Sequence, residues 1–140
     1  MSRIFWDTNI FIYLFEDYGE LSLRVSTLRR RMLARSDQLF TSTLTLGELL
    51  VKPREKRDDS LRERYERALE ATAALIPFDA VAARGYAIIR LDRTLKAPDA
   101  IQLACAAQAR VDLFITNDDR LSRKIVSGID FIVPLSQAFL

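Results

Sequence analysis

Four acidic positions carry the chemistry that this sequence can offer: Asp7, Glu48, Asp99 and Asp118, with Asp119 adjoining the last. Each stands where an extended or loop segment hands over to a helix, or on that helix's first turns. Each also has an ordinary use there. Asp7 or Thr8 can cap the helix that follows. Thr45-Leu46-Gly47-Glu48 has the form of a capping box, with Glu48 reaching back to Thr45. Asp99, just after Pro98, suits the positive end of a helix dipole. Asp118 or Asp119 can do the same, or make an Asx-turn with Asn117. As a set they read differently. Right-handed crossovers bring all strand C-termini to one edge of a parallel sheet, and ligands gather in the crevice there. Two carboxylates about 5 Å apart repel by roughly 3 kcal/mol at an effective dielectric near about 20. A converging group of four must therefore take up protons or hold a cation. The chain has no histidine and one cysteine, which removes histidine triads, histidine bases and most zinc sites. Oxygen-only ligation points to Mg²⁺ or Mn²⁺, ions able to activate water and to steady the charge of a phosphodiester transition state.

The elements that must position these acids fit within one domain over residues 1–140, long enough to bury most of its apolar surface. A hydrophobic content of 49% with 29% charged residues describes a globular chain rather than a disordered or fibrous one. No apolar run reaches the length of a bilayer span, and no basic-then-apolar leader opens the chain. The lone Cys105 excludes an internal disulfide and, on an apolar helix, reads as core filler. The expected location is the cytoplasm, away from membranes. Net charge is only +2, but 17 of the 21 cations are arginine, the better phosphate fork. That bias permits nucleic-acid contact without requiring it.

Ile4-Phe5-Trp6 is a short apolar run that suits an inner parallel strand, and Ile10, Tyr13 and Leu14 then take helical spacing. The strand-to-helix switch falls on Asp7-Thr8-Asn9. After a turn at Gly19-Glu20, Leu21, Val25, Leu28 and Met32 predict a helix over residues 21–35, with Arg24, Arg31 and Arg35 as a solvated flank. Leu39-Phe40-Thr41 reads as a second strand, followed by a helix carrying Glu48 that ends at Lys52-Pro53. Residues 53–59 read as a charged surface loop or clamp. Residues 60–75 keep helical spacing. Leu75-Ile76-Pro77-Phe78 is a poor strand whose proline restricts it to a sheet edge or a strand end. Asp79 caps a helix over residues 80–91. Residues 94–97 are loop. Pro98 opens a helix that runs from Asp99 to Arg110 and is almost wholly apolar or small. Leu113-Phe114-Ile115-Thr116 is a further inner strand, Asn117 begins a short helix ending near Val126, and Gly128 breaks it. Phe131-Ile132-Val133 forms the last strand. This alternation predicts an α/β fold with a parallel sheet.

Four stretches, in order, carry a resemblance: Asp7-Thr8-Asn9; Ser42-Thr43-Leu44-Thr45-Leu46-Gly47-Glu48; Pro98-Asp99-Ala100-Ile101-Gln102-Leu103-Ala104; and Thr116-Asn117-Asp118-Asp119. Over nearly its whole length the chain resembles the PIN-domain ribonucleases, and among them the VapC toxins of toxin–antitoxin pairs. The resemblance implies a three-layer α/β/α domain with a mainly parallel, five-stranded sheet, a divalent-metal site, and endonucleolytic cleavage of RNA. Asp7, Glu48, Asp99 and Asp118 would correspond to the metal-binding acids. Thr116 and Asn117 would support them. Thr8 matches the hydroxyl residue that follows the first acid, with Asn9 beside it. Asp119 competes with Asp118 for the fourth place.

Two further readings stay open. One is a PIN nuclease of RNA processing or decay rather than a toxin. The other is a non-catalytic receiver-like signalling module, which also gathers carboxylates at strand ends. A receiver wants an acidic pair after its first strand and a lysine after its last, and this chain has neither. Ala100, Ile101, Ala104, Cys105 and Ala107 offer more apolar faces than one sheet surface covers. With apolar positions on the residue 21–35 helix, they predict a two-fold homodimer. The resemblance adds a small antitoxin protein laid over the acidic site, beside the RNA substrate.

Overall fold

The structure is a computed structural model that describes residues 1–138. Its five strands are β1 (Arg3–Trp6), β2 (Gln38–Ser42), β3 (Ala74–Ile76), β4 (Leu113–Thr116) and β5 (Phe131–Pro134). They form one fully parallel sheet in the order β3-β2-β1-β4-β5. Six α-helices flank it: α1 (Thr8–Phe15), α2 (Glu20–Ala34), α3 (Thr43–Glu55), α4 (Asp59–Thr72), α5 (Ala80–Ile89) and α6 (Ala97–Gln108). None is long and apolar enough to cross a membrane.

Strand pleating explains the three layers, because alternate residues face opposite sides. Ile4, Trp6, Leu39 and Ile115 pack with Phe11 of α1, Met32 of α2, Leu49 of α3 and Leu69 of α4. Phe5, Phe40, Phe114 and Ile132 pack on the other face with Ala82 of α5 and Leu103 and Cys105 of α6. The rings of Phe5 and Phe114 stack across β1 and β4 with centroids 5.1 Å apart. The chain steps from β1 out to β3 under α1–α4. It then crosses back beneath α5 and α6 to β4, so the strand order reverses between β1 and β4. That reversal opens a crevice at the C-terminal ends of these two strands, where α/β sheets bind ligands. The order also differs from the 2-1-3-4-5 of receiver domains, which removes the signalling-module reading.

Some local expectations change. Pro53 does not end α3, which continues to Glu55. The side chain of Pro53 is buried, and that burial offsets the helical hydrogen bond it cannot donate. The expected charged loop over residues 53–59 shrinks to residues 56–58, turning through Arg57 at φ 51° into the Asp58 cap of α4. The expected helix over residues 117–126 is only a 3₁₀ turn, Leu121–Arg123. There the Asp118 carboxylate takes the Arg120 N–H in an Asx-turn that competes with helix nucleation. Leu75 and Ile76 leave α4's register to form edge strand β3, and Pro77 stands just beyond it. Pro98 is the second residue of α6, after Ala97. Gly128 is required where it stands: φ is +97°, and a Cβ would lie 2.8 Å from the Ala107 carbonyl oxygen.

The dimer argument changes most. α6 is wedged against the sheet, α5 and α3, and Ala100, Ala104 and Cys105 are buried within the chain itself. The Val25, Leu28 and Met32 stripe of α2 is likewise consumed in the core. The apolar excess read from α6 was an excess over one sheet face, and α5 covers the rest. Burial also pushes the Cys105 thiol up to about 11, in keeping with an unreactive core residue.

Candidate metal and catalytic site

Asp7 follows β1 and caps α1, so the capping use read from the sequence holds, and its carboxylate stands at the C-terminal end of the strand. Its Oδ1 accepts the Thr8 N–H at 2.9 Å, and its Oδ2 accepts the Thr116 hydroxyl at 2.9 Å. The backbone N–H of Asp7 donates to the Ile115 carbonyl at 3.0 Å, tying the strand end to β4. Thr116 Oγ1 in turn accepts the Asp118 N–H at 3.0 Å, so one hydroxyl links the acids that follow β1 and β4. Asp7 opens to solvent only in part. Burial pushes its carboxyl up to about 6 against the lowering effect of the Thr116 and Thr8 hydrogen bonds, and Asp99 and Glu48 add repulsion.

Glu48 is not a capping-box partner. Ser42 caps α3, its side chain accepting from the Thr45 N–H. Glu48 Oε1 accepts the Thr8 hydroxyl at 2.6 Å instead. Asp99 stands in the first turn of α6, where the dipole favours a negative charge, and faces the same crevice. Burial raises its carboxyl above the usual range, and Asp118 raises it further while Arg120 and Lys96 oppose the shift. Asp118 is held low chiefly by Arg120, whose Nε and NH2 groups donate to its two oxygens at 3.1 and 2.7 Å. Asp119 is exposed and lines a separate depression with Ser122 and Pro134. Asn9 is exposed beside Asp7, and Asn117 donates to the Tyr13 hydroxyl at 2.9 Å.

Beneath the acids lies a polar floor whose roles the sequence did not reveal. Gln102 of α6 is buried, and its Nε2 donates to Thr8 Oγ1 at 3.0 Å and to Thr45 Oγ1 at 2.8 Å. Its Oε1 accepts the Ser42 hydroxyl. Thr41 Oγ1 donates to the Trp6 carbonyl at 2.9 Å and sits 2.8 Å from Thr45 Oγ1. Every member of this floor is both buried and paired, which fixes side-chain directions. The available signal was compositional: a glutamine in the middle of the small apolar residues of α6, apart from the terminal Gln108, and a run of hydroxyls from Thr41 to Thr45.

The crevice thus gathers Asp7, Glu48 and Asp99 within electrostatic reach, with Asp118 coupled to Asp99. Among the described residues, no three acidic, histidine or cysteine side chains stand close enough to chelate one ion directly. The expected convergence is therefore looser than a four-carboxylate cage. An all-oxygen donor set, open to solvent, in which Asp7 is met by neutral donors alone among the described residues, fits a hard divalent ion. Such an ion keeps several of its waters and takes one or two carboxylates.

The chain belongs to the PIN-domain family, whose pattern matches residues 4–125, a span that takes in all four acids. Among solved structures, a toxin–antitoxin complex from Klebsiella pneumoniae matches with a TM-score of 0.65 and 26% identity, over 90% of this chain and 94% of that one. VapBC2 from Rickettsia felis, bound to a DNA fragment from its promoter, matches with a TM-score of 0.71 and 14% identity over 94% and 98% of the two chains. DNA-bound VapBC from Salmonella typhimurium matches with a TM-score of 0.65 and 21% identity over 96% and 99%. The last two likenesses speak to the fold alone. A comparison with curated proteins gives no match.

The neighbouring carboxylates can be ranked. Asp118 faces Asp99, whereas Asp119 turns to the other side of the loop. Asp118→Ala is expected to lower nuclease activity at least about tenfold, the usual scale for a residue that supports a catalytic centre. Asp119→Ala should change it less than about twofold, as exposed substitutions do. Initial nuclease rates on one substrate check the order, and a larger loss at Asp119 would reverse the assignment.

Proposed function

We propose that this protein is a divalent-metal-dependent endoribonuclease acting as the toxin of a toxin–antitoxin pair in the cytoplasm. The observation that carries the reading is Asp7: a carboxylate at the β1–β4 crevice, neutralised by no cation among the described residues and faced by Asp99 and Glu48. Membership of the PIN-domain family and the toxin–antitoxin neighbours support it. Mg²⁺ or Mn²⁺, held by Asp7, Asp99, Asp118 and Glu48 in part through water, would activate the attacking water and steady the phosphodiester charge.

The chain's own groups prepare that site. Thr116 holds one Asp7 oxygen and Thr8 holds Glu48, so both carboxylates are aimed before any substrate arrives. Gln102 fixes Thr8 from below. Asn117, locked to Tyr13, braces the mouth of the crevice. An acidic crevice of this kind also attracts a basic side chain. An antitoxin segment presenting an arginine fork to these carboxylates would inhibit by covering the site. A homodimer belongs to the same reading. Its surface is not α6 but the exposed aliphatics Val81 and Ile88 of α5, with Leu91 and Ile125 near by.

The test is direct. The purified chain should cleave RNA in Mg²⁺ or Mn²⁺ and stop on addition of EDTA; cleavage that persists in EDTA would remove the metal. Expression alone should arrest growth, with rescue by the adjacent small reading frame. Normal growth with soluble protein present, alongside metal-dependent cleavage in vitro, would assign the chain to RNA processing or decay instead.

A further inference from the structure

Arg120 has a position that none of the roles above uses. It lies two residues beyond Asp118 and grips both oxygens of that carboxylate as a fork. Its field also reaches Asp99. A guanidinium on a carboxylate that would otherwise hold a metal stands where positive charge is wanted. Yet the pair is loosely kept. The Arg120 side chain is 62% exposed, so solvent screens it and a divalent ion can compete for Asp118. It also has somewhere to go. Beside Asp99 opens a cleft of about 330 Å³ lined by Thr94, Leu95, Leu121, Arg123 and Lys124, and Arg120 forms part of its wall. Lys124 is already engaged, donating to Thr94 at 2.6 Å and pairing with Asp92 at 2.8 Å. Of the cations lining this cleft, Arg120 is the one paired with an acid of the site among the described residues.

We propose that Arg120 is a built-in counterion of the metal-free site, which a divalent ion displaces from Asp118 so that its guanidinium can take a phosphate of the RNA at the adjoining cleft. The inference rests on the metal-nuclease reading. It makes one residue oppose metal binding and favour substrate binding, two effects of opposite sign that a merely structural ion pair would not produce. Bidentate geometry suits a phosphate as well as a carboxylate, so the same fork serves both partners. Metal loading and substrate capture are thereby coupled: the cationic fork is offered to RNA only once an ion neutralises the acids.

The experiment uses the full chain with Mn²⁺ alone, followed by calorimetry, and then a 2′-O-methyl oligoribonucleotide in saturating Mn²⁺, followed by fluorescence anisotropy. Arg120→Gln should bind Mn²⁺ about fivefold more tightly, and the oligonucleotide about tenfold more weakly, than the parent. Arg123→Gln reports the general effect of removing one nearby charge and should move Mn²⁺ binding less than about twofold. Arg120→Lys, which keeps the charge but loses the fork, should fall between parent and Gln in both measurements. Unchanged or weaker Mn²⁺ binding by Arg120→Gln, or an equal gain in Arg123→Gln, overturns the counterion role and leaves the nuclease reading standing. Absence of Mn²⁺ binding by the parent chain overturns both.

Discussion

Asp7→Asn is expected to cut cleavage steeply while making the metal-free protein more stable. Asparagine keeps the acceptor for the Thr8 N–H and can still meet the Thr116 hydroxyl, so the local frame survives. What disappears is a charge that burial penalises. The folded-state carboxyl titrates at about 6, against 3.8 ordinarily. Below the lower value both states are protonated and no penalty applies. Between the two, the native state holds more protons than the unfolded chain, so stability falls as pH rises. Above about 6 the full penalty is present, at most roughly 3 kcal/mol for a shift of this size at about 1.4 kcal/mol per unit. With EDTA present, the parent should therefore lose stability relative to Asp7→Asn between about pH 4 and pH 6. The variant should be the more stable of the two at pH 7.5. Mn²⁺ should close the gap by binding the native parent. Cleavage should fall on the order of a hundredfold or more, as when a group that stabilises the transition state is lost. Urea denaturation at pH 4.5 and pH 7.5, with and without Mn²⁺, checks all of this. Parallel pH profiles for parent and variant would contradict the burial penalty.

How much of this was legible before the structure depends on how local each cause is. The inner strands announce themselves because both faces are buried, and Ile4-Phe5-Trp6 and Leu113-Phe114-Ile115 are accordingly unbroken apolar runs. The Asp79 cap is equally local, its carboxylate accepting the Ala82 N–H three residues on. Edge strand β3, with three residues, could be read only as a weak strand, because much of its support comes from pairing with β2. Pro53 misled because propensity was set against a burial that the sequence does not display. The same holds for α6. Its apolar surface was visible, but not the neighbours that cover it, and the dimer argument built on that surface did not hold. In the candidate site, the acids were legible by type and by their place after strands, as for Asp7 and Asp118, or on the first turns of helices, as for Glu48 and Asp99. Their supporting shell was not: Gln102 finds its partners 57 to 95 residues away, a pairing that no local spacing encodes. Arg120 was hidden for the opposite reason. It sits so close to Asp118 that it reads as ordinary loop charge until the fork is seen closed on the carboxylate.

Gln102→Leu tests whether that buried floor is a structural requirement of the site. Leucine has nearly the volume of glutamine and suits the apolar neighbours of position 102 on α6, so composition alone would forecast a neutral or stabilising change. The hydrogen bonds forecast the reverse. Removing the amide leaves the Ser42 hydroxyl without its Oε1 acceptor and takes a donor from both Thr8 and Thr45, at positions closed to water. Each unpaired buried group costs about 1–3 kcal/mol, and partial re-pairing among the threonines recovers some of it. A net loss of about 3 kcal/mol is expected, close to 10 °C in melting temperature for a domain of this size. Cleavage should fall as well, about tenfold or more, because Thr8 is the donor that aims Glu48 and would be free to turn away. Gln102→Glu separates geometry from charge. It keeps the acceptor for Ser42 but sets a second carboxyl where the amide now stands 3.5 Å from Asp7. That variant should be more unstable at pH 8 than at pH 5, where protonation relieves the repulsion. A Gln102→Leu protein that melts within about 2 °C of the parent would show that the threonines satisfy one another, leaving the glutamine as volume only.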